Sequence, residues 1–351
     1  MAAMTHPTDS LGPSPELFPH VLDVRADCIS FVRLGRADYA SASFLDGRLL
    51  VGAQPRVIAW PQVAASIDIA RLTEHCGFIF HIGHVGSTLL SRLIGLHPQA
   101  FAIREPLVLR TFALMRSEPH ERARTWSGEE FAARLDGVLK LLSRTFEPTQ
   151  LAIIKATSFV SEIATELLMR AAAPRALMLT VSPATYLATL FGGPNSRQEA
   201  RTLAPQRLKR LQARVGGEHW QLRSLSEGEA LALAWACEAS ALANAARAAR
   251  DRILHLDFDE FLADPAAGLT AALAQFGIAA TGPEVNAILA GPDMCRYSKA
   301  PEFAYDSQLR QQVLHAARAA HGAEIRRGLA WLESAGRSFP ELSQAIAFAG
   351  G

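Results

Sequence analysis

Residues 77–92 read GFIFHIGHVGSTLLSR, an apolar run that ends in a glycine-broken turn and restarts as a helix. Gly77 to Ile82 has the aromatic and β-branched character of a short buried strand. Gly83 and Gly86 bracket a turn through His84 and Val85 that needs permissive backbone and close approach to a ligand. Ser87 and Thr88 fall where the helix begins. Their hydroxyls and the unpaired N–H groups of the first turn converge on an anion, and the helix dipole adds to the attraction. Arg92, four residues after Thr88, shares its helix face. The stretch reads as a phosphate cradle. The Walker A pattern G-x-x-x-x-G-K-[ST] is two residues longer and carries a lysine that this turn lacks.

The chain has 351 residues, 35 of them basic and 34 acidic, for a net charge of +1. That length suits one large α/β domain with additions, or two small domains. Near-neutrality gives no polyelectrolyte signal for nucleic acid, so any anion site is local. A hydrophobic fraction of 49%, rich in alanine, suits a helix-rich globular protein. Cys28, Cys76, Cys237 and Cys295 have neither metal-ligand spacing nor a dense pairing pattern and read as reduced thiols of a cytoplasmic enzyme. The opening MAAMTHPTDSLGPSPELFP places proline and polar residues where a secretory signal needs an apolar core. Ala230 to Ala249, the longest apolar region, is interrupted by Glu238, Asn244 and Arg247 and reads as a buried helix rather than a membrane span.

Three parts are expected: a disordered leader over 1–18, rich in proline, serine and threonine, a β-containing extension over 19–72, and an α/β domain over 73–351. Within the extension, CISFVRL and SASFLDGRLLV are β-prone, and Asp46-Gly47 is a hairpin signal. After the loop helix come His97-Pro98 and a strand from Ala100 to Ile103 that delivers Arg104 and Glu105 to its carboxyl end, where open parallel sheets bind ligands. Ser127 to Phe146 is an amphipathic helix. LAIIKATSF is a third strand ending in Lys155, Thr157 and Ser158, followed by a helix over 161–172. A fourth strand over 176–181 leads through Ser182-Pro183 into a helix carrying Thr189, with Arg197 in the loop beyond. Arg201 to Arg214 reads as the solvated face of a basic helix. Ser224 to Asp251 is a long helix with Trp235 in the core. RILHLD is a further strand, Asp264-Pro265 starts a helix, and Arg296-Tyr297-Ser298-Lys299 precedes a last helix from Asp306 to Ser334.

Gly83-His84-Val85-Gly86-Ser87-Thr88 resembles the 5′-phosphosulfate loop of sulfotransferases, written roughly P-[KR]-[ST]-G-[ST]-T, which bacterial members often continue as G-S-T-L-L. A second stretch is similar to the pattern of a strand, Tyr-Glu-Asp-Leu, a spacer, Asp-Pro and a helix ending in glycine. Phe258, Asp259, Glu260, Phe261, Asp264, Pro265, Phe276 and Gly277 fill those places here. The resemblance covers about residues 77 to 335. It implies a three-layer P-loop-like α/β fold, a mainly parallel sheet with helices on both faces. It also implies transfer of a sulfuryl group from 3′-phosphoadenosine 5′-phosphosulfate to a hydroxyl or amine, with no metal. By that resemblance Glu105 is the general base. The loop residues 83–88 with Arg92 hold the 5′ group, with His84 where relatives have lysine or arginine, and Lys155 faces the site. In relatives a strand, Arg-x-Pro and a serine eight residues after the arginine bind the 3′-phosphate. Here Val181 stands at the arginine place, Ser182 and Pro183 follow, and Thr189 stands at the serine place. Arg197, or Arg296, Ser298 and Lys299 from the basic segment that relatives bring over this phosphate, are the compensating groups expected.

Two other classes stay open. The strand ending in Asp257 satisfies a Walker B reading, with Mg²⁺ held in a nucleotide kinase or NTPase, but that chemistry also calls for the missing loop lysine. A degenerate fold that binds a nucleotide or partner without chemistry is the other. Nothing in the sequence marks the acceptor as carbohydrate, peptide, lipid or phenol, or fixes the oligomeric state.

Overall fold

In the computed structural model, which describes residues 11–50, 54–117, 126–300 and 302–350, the chain builds two sheets. The larger has five parallel strands, β4 (Cys76–His81), β5 (Ala100–Arg104), β6 (Leu151–Lys155), β7 (Ala176–Thr180) and β8 (Ile253–Asp257), in the order β5-β6-β4-β7-β8. Every residue of β4, β5 and β7 is buried, as strands covered by helices on both faces must be. The chain leaves β4 toward β5 on one side and later crosses to β7 on the other, so the order reverses at β4. The crevice at the carboxyl ends of the strands opens there.

The smaller sheet is antiparallel, in the order β1 (Leu17–Asp23), β2 (Cys28–Arg33), β3 (Arg56–Ala59). Its hairpin lies at 24–27, where the Asp23 carboxylate accepts from the amides of Arg25 and Ala26 and Asp27 adopts a left-handed φ of 48°. The hairpin expected at Asp46-Gly47 is absent. Gly47–Leu50 is a 3₁₀ turn, and the Asp46 carbonyl bonds the His20 ring nitrogen instead. Part of the expected leader is packed: Leu11 is buried, β1 starts at Leu17, and the buried Arg144 guanidinium donates to the carbonyls of Leu11, Gly12 and Leu17. The first ten residues lie outside the described ones.

The extension is fastened to the edge of the larger sheet. Leu45 donates to the Arg104 carbonyl at 2.7 Å, and the Arg104 guanidinium returns bonds to the carbonyls of Tyr39, Ala40 and Ala42. This covers the open edge of β5. The Tyr39 ring packs edge-on against Phe18, Phe101 and Phe146, within one hydrophobic core that both sheets share.

Helices flank the larger sheet. Gly128–Leu142 is capped reciprocally by Ser127 and Glu130, and Glu227–Ala248 by Ser226 and Glu229. The helix expected over 161–172 is a 3₁₀ turn, Ser158–Ile163, followed by Ala164–Leu168. The last long helix, Ser307–Ser338, is capped by Asp306 and kinked at His321. No helix of the described residues is long and apolar enough to cross a membrane.

Candidate active site

At the end of β4 the chain turns through Gly83 (φ 88°), His84 (φ 54°) and Gly86 (φ 72°) into the loop helix Ser87–Gly95. Gly83 donates its amide to Nδ1 of His81 at 3.0 Å. Gly86 is the N-cap, and no side chain caps the helix. Ser87, Thr88 and Leu89 of its first turn line the site's cavity, at the end of a helix where anions are bound. A Cβ at Gly86 would lie 2.0 Å from the Phe258 ring, so glycine is required there by φ and by space alike.

Glu105 stands immediately after β5 with a left-handed φ of 53°. A non-glycine residue in that region carries strain that surrounding structure must impose. Here the constraint is visible: the Glu105 amide donates to the Lys155 carbonyl at 2.6 Å, and the Glu105 carboxylate pairs with the Lys155 ammonium. Lys155, at the tip of β6, is fully buried, and its ammonium also reaches Thr88 Oγ1 at 3.2 Å. Burial pulls the Lys155 ammonium below its ordinary value, against the opposing pull of Glu105. The positive charge at the loop therefore arrives from β6.

His84 does not supply it. Its side chain is buried beside the cations Lys299, Arg207 and Lys155, and burial first, then those charges, holds the imidazole well below the ordinary range. Its Nε2 lies 3.7 Å from a Glu199 carboxylate oxygen. The group expected to replace a permanent cation is a neutral imidazole at neutral pH. His81, also buried, is held low by the same burial and by Lys155 and Lys299.

These groups open on a cavity of about 360 Å³, within the range of small-molecule sites. Of the residues expected at the site, His84, Val85, Gly86, Ser87, Thr88, Glu105, Lys155, Thr189, Arg296, Ser298 and Lys299 line it. Four others do not. Gly83 backs the loop against Ser158. Arg92 is outside the lining, its guanidinium taken up by the Ser298 carbonyl and the 40–43 segment. Ser182 caps the helix Pro183–Gly192 through the Thr185 amide. Arg197 lies within Pro194–Val215, its guanidinium 3.8 Å from Glu227. Asp257, the Walker B candidate, is not in the cavity lining either, and its carboxylate accepts from the amides of Asp259 and Glu260 at the start of its own helix.

Sequence reasoning missed Arg310. It is 7% exposed, lines the cavity, pairs with Asp259 at 2.6 Å and lies over the Phe258 ring. Asp259 in turn accepts from Thr185 Oγ1 at 3.1 Å, one helical turn before Thr189. A guanidinium thus stands near the hydroxyl expected to hold a 3′-phosphate, at the end where Val181 is buried under Trp235 and carries no charge. One signal was available: an arginine in the first turn of a helix opposes the macrodipole and needs a local reason.

No protein-family model matches the chain, and no curated protein does. Among solved structures it is similar to the sulfotransferase domain from the curacin biosynthetic pathway, at 16% identity over 71% of this chain and 99% of that one, with a TM-score of 0.40. It is also similar to the sulfotransferase domain of the Synechococcus PCC 7002 olefin synthase, at 16% identity over 78% and 94%, TM-score 0.41. A sulfotransferase from Alicyclobacillus acidocaldarius matches at 14% identity over 74% and 96%, TM-score 0.36. These neighbours are sulfotransferase domains, and they are remote.

Proposed function

We propose that the protein is a sulfotransferase, moving a sulfuryl group from 3′-phosphoadenosine 5′-phosphosulfate to a hydroxyl or amine. The observation that carries this reading is a juxtaposition in one cavity: an uncapped helix N-terminus after a left-handed glycine turn, with a strained Glu105 held by Lys155, which also contacts Thr88. Such a cradle holds a phosphate by amides, hydroxyls and an ammonium, and sets a carboxylate beside it.

The donor supplies an activated S–O bond to its 5′-phosphate, and the residues of the chain do the rest. The amides of Ser87 and Thr88 and the Thr88 hydroxyl bind the 5′ end. Lys155 and Lys299 take up the negative charge left on the 5′-phosphate oxygen as the bond to sulfur breaks. Glu105 accepts the proton of the acceptor hydroxyl or amine as the new bond to sulfur forms. Thr189 and Arg310 hold the 3′-phosphate at the other end. Arg310 thus performs the work expected of Arg197, and Lys155 with Lys299 that expected of His84.

The kinase or NTPase reading is weakened by the same geometry, since its metal carboxylate, Asp257, is committed to a helix cap. Titration calorimetry separates the classes. Tight binding of 3′,5′-adenosine bisphosphate without metal is the expected result. ATP binding that requires Mg²⁺ would overturn the reading in favour of a kinase, and binding of neither would point to a protein without this chemistry.

A further inference from the structure

We propose that the N-terminal unit is a working part of the cleft: Ser43, Phe44 and Arg92 form a latch that seats the 296–299 strap and so places Lys299 in the cavity. The function assigned to Lys299 rests on the sulfotransferase reading, whereas the latch itself rests on contacts alone.

The strap has few bonds of its own. It is tied to the 303–305 segment by a bridge between Arg296 and Ala304, by the Tyr297 amide on the Phe303 carbonyl and by the Tyr305 amide on the Cys295 carbonyl, and it carries the exposed ring of Tyr297. Its position over the cleft comes from outside. The Ser298 carbonyl accepts from Arg92 Nε at 3.0 Å and from Ser43 Oγ at 3.3 Å. Arg92 is held in turn by Ser43 Oγ at 2.9 Å and the Ser41 carbonyl at 3.1 Å. Three separate parts of the chain, the extension, the loop helix and the strap, meet at that one carbonyl, next to Lys299.

Phe44 explains why Lys299 can stand there. Lys155 is already buried in the site, and a second ammonium is repelled by it. The Phe44 ring lies 5.2 Å from the Lys155 ammonium and 5.9 Å from that of Lys299, with the Arg48 guanidinium at 4.4 Å. An aromatic face attracts cations within about 6 Å. One ring therefore holds cations from β6, the strap and the extension, and offsets part of their repulsion. Arg92, Ser43 and Phe44 are positioning residues, acting on ligand through Lys299.

Trypsin reports the latch with no ligand present, because Arg296 and Lys299 are themselves cleavage points. In Arg92→Gln, nicking at these two residues, located by mass spectrometry, should rise about tenfold over wild type, the loss of one charge-assisted bond. Ser43→Ala should raise it less. Phe44→Leu should raise nicking at Lys299, and Phe44→Trp, a better cation partner, should restore it. Unchanged nicking in Arg92→Gln, or an equal rise at basic residues throughout the chain, overturns the latch. The second measurement is a double-mutant cycle on 3′,5′-adenosine bisphosphate affinity. Arg92→Gln and Lys299→Ala should be non-additive, the double variant binding no more weakly than Lys299→Ala alone. Full additivity overturns the claim that Arg92 acts through Lys299. Raised nicking in a protein that binds no bisphosphate upholds the latch and overturns the sulfotransferase reading.

Discussion

Two buried charge clusters, one that includes Ser161 and Glu162 of the 3₁₀ turn Ser158–Ile163 and one around Lys155, are built to different rules. Both oxygens of Glu238 are filled. Oε1 accepts from Arg207 and Arg210, and Oε2 from Ser161 and Arg210, while Glu162 accepts from Arg210 and Arg214. Burial pushes the Glu238 carboxyl up, but Arg210 and Arg207 outweigh it and hold the group below its usual range. Around Lys155 the bonds are fewer, the backbone at Glu105 is strained, and the cluster opens on a cavity with a second lysine facing it. The first cluster is closed and ties the helices Pro194–Val215 and Glu227–Ala248 to each other and to the 3₁₀ turn. The second leaves capacity for an anion. A satisfied network supports a fold, and an under-satisfied one beside a cavity marks the place where a ligand completes it.

The largest test of that contrast is to break the closed cluster. Glu238→Leu strands Arg207 and Arg210 in the core and should cost about 3–5 kcal/mol of stability by urea denaturation, with bisphosphate affinity of the folded fraction unchanged. A loss below about 1 kcal/mol would place the cluster among the weak surface pairs. Glu105→Gln should do the opposite. Turnover at saturating substrates should fall by about two orders of magnitude or more, the contribution of a general base, with bisphosphate binding retained. Unchanged turnover would remove Glu105 from the mechanism.

The third test concerns the nucleotide's far end. Arg310→Gln should weaken 3′,5′-adenosine bisphosphate by about 1.5–3 kcal/mol and barely affect adenosine 5′-monophosphate, while Arg197→Ala should alter neither. Equal losses for both nucleotides would show that Arg310 supports the cavity wall and does not read the 3′-phosphate.

The smallest effect is one of pH. His81 and His84 are both depressed in the folded protein, so below the unfolded value of about 6.5 the unfolded chain takes up protons that the native chain does not. The stability they contribute is complete above about pH 6.5 and is lost as pH falls toward their folded values, with a slope of at most about 1.4 kcal/mol per pH unit for each. Denaturation curves between about pH 7.5 and 5.5 should show a shallower dependence in His84→Asn and in His81→Gln than in wild type. Unchanged slopes would mean that the native imidazoles take up protons as readily as unfolded ones.

Local signals carried much of the architecture. The strand, glycine turn and helix at 76–95, the strand delivering Glu105, and Lys155 at a strand tip were all legible from periodicity and glycine placement. What was not legible depended on partners far along the chain. Helical spacing put Arg92 on one face with Thr88, but the segment that covers that face comes from residues 40–43. The basic helix read as solvated because its acid, Glu238, lies on a different helix. His84 stands where the pattern has a cation, and only its burial among lysines and arginines shows that the neutral form is favoured there. The misplaced hairpin was a matter of competing turn chemistry. Asp46-Gly47 is the stronger dipeptide, but the Asp23 side chain bonding its own following amides makes the turn that forms.

The contact between Gly86 and the Phe258 ring bears on how such a chain can change over generations. One residue belongs to the phosphate turn and the other opens the helix after β8, and the ring occupies the space that any side chain at 86 would need. Neither position is free to vary alone. A bulkier residue at 86 has to arrive with a smaller one at 258 and must also tolerate a left-handed backbone, which leaves few choices beyond asparagine or aspartate. Two motifs that read as separate in the linear chain are thus inherited as one, and variants that alter the loop are expected to be recovered with their compensating partner in the distant helix.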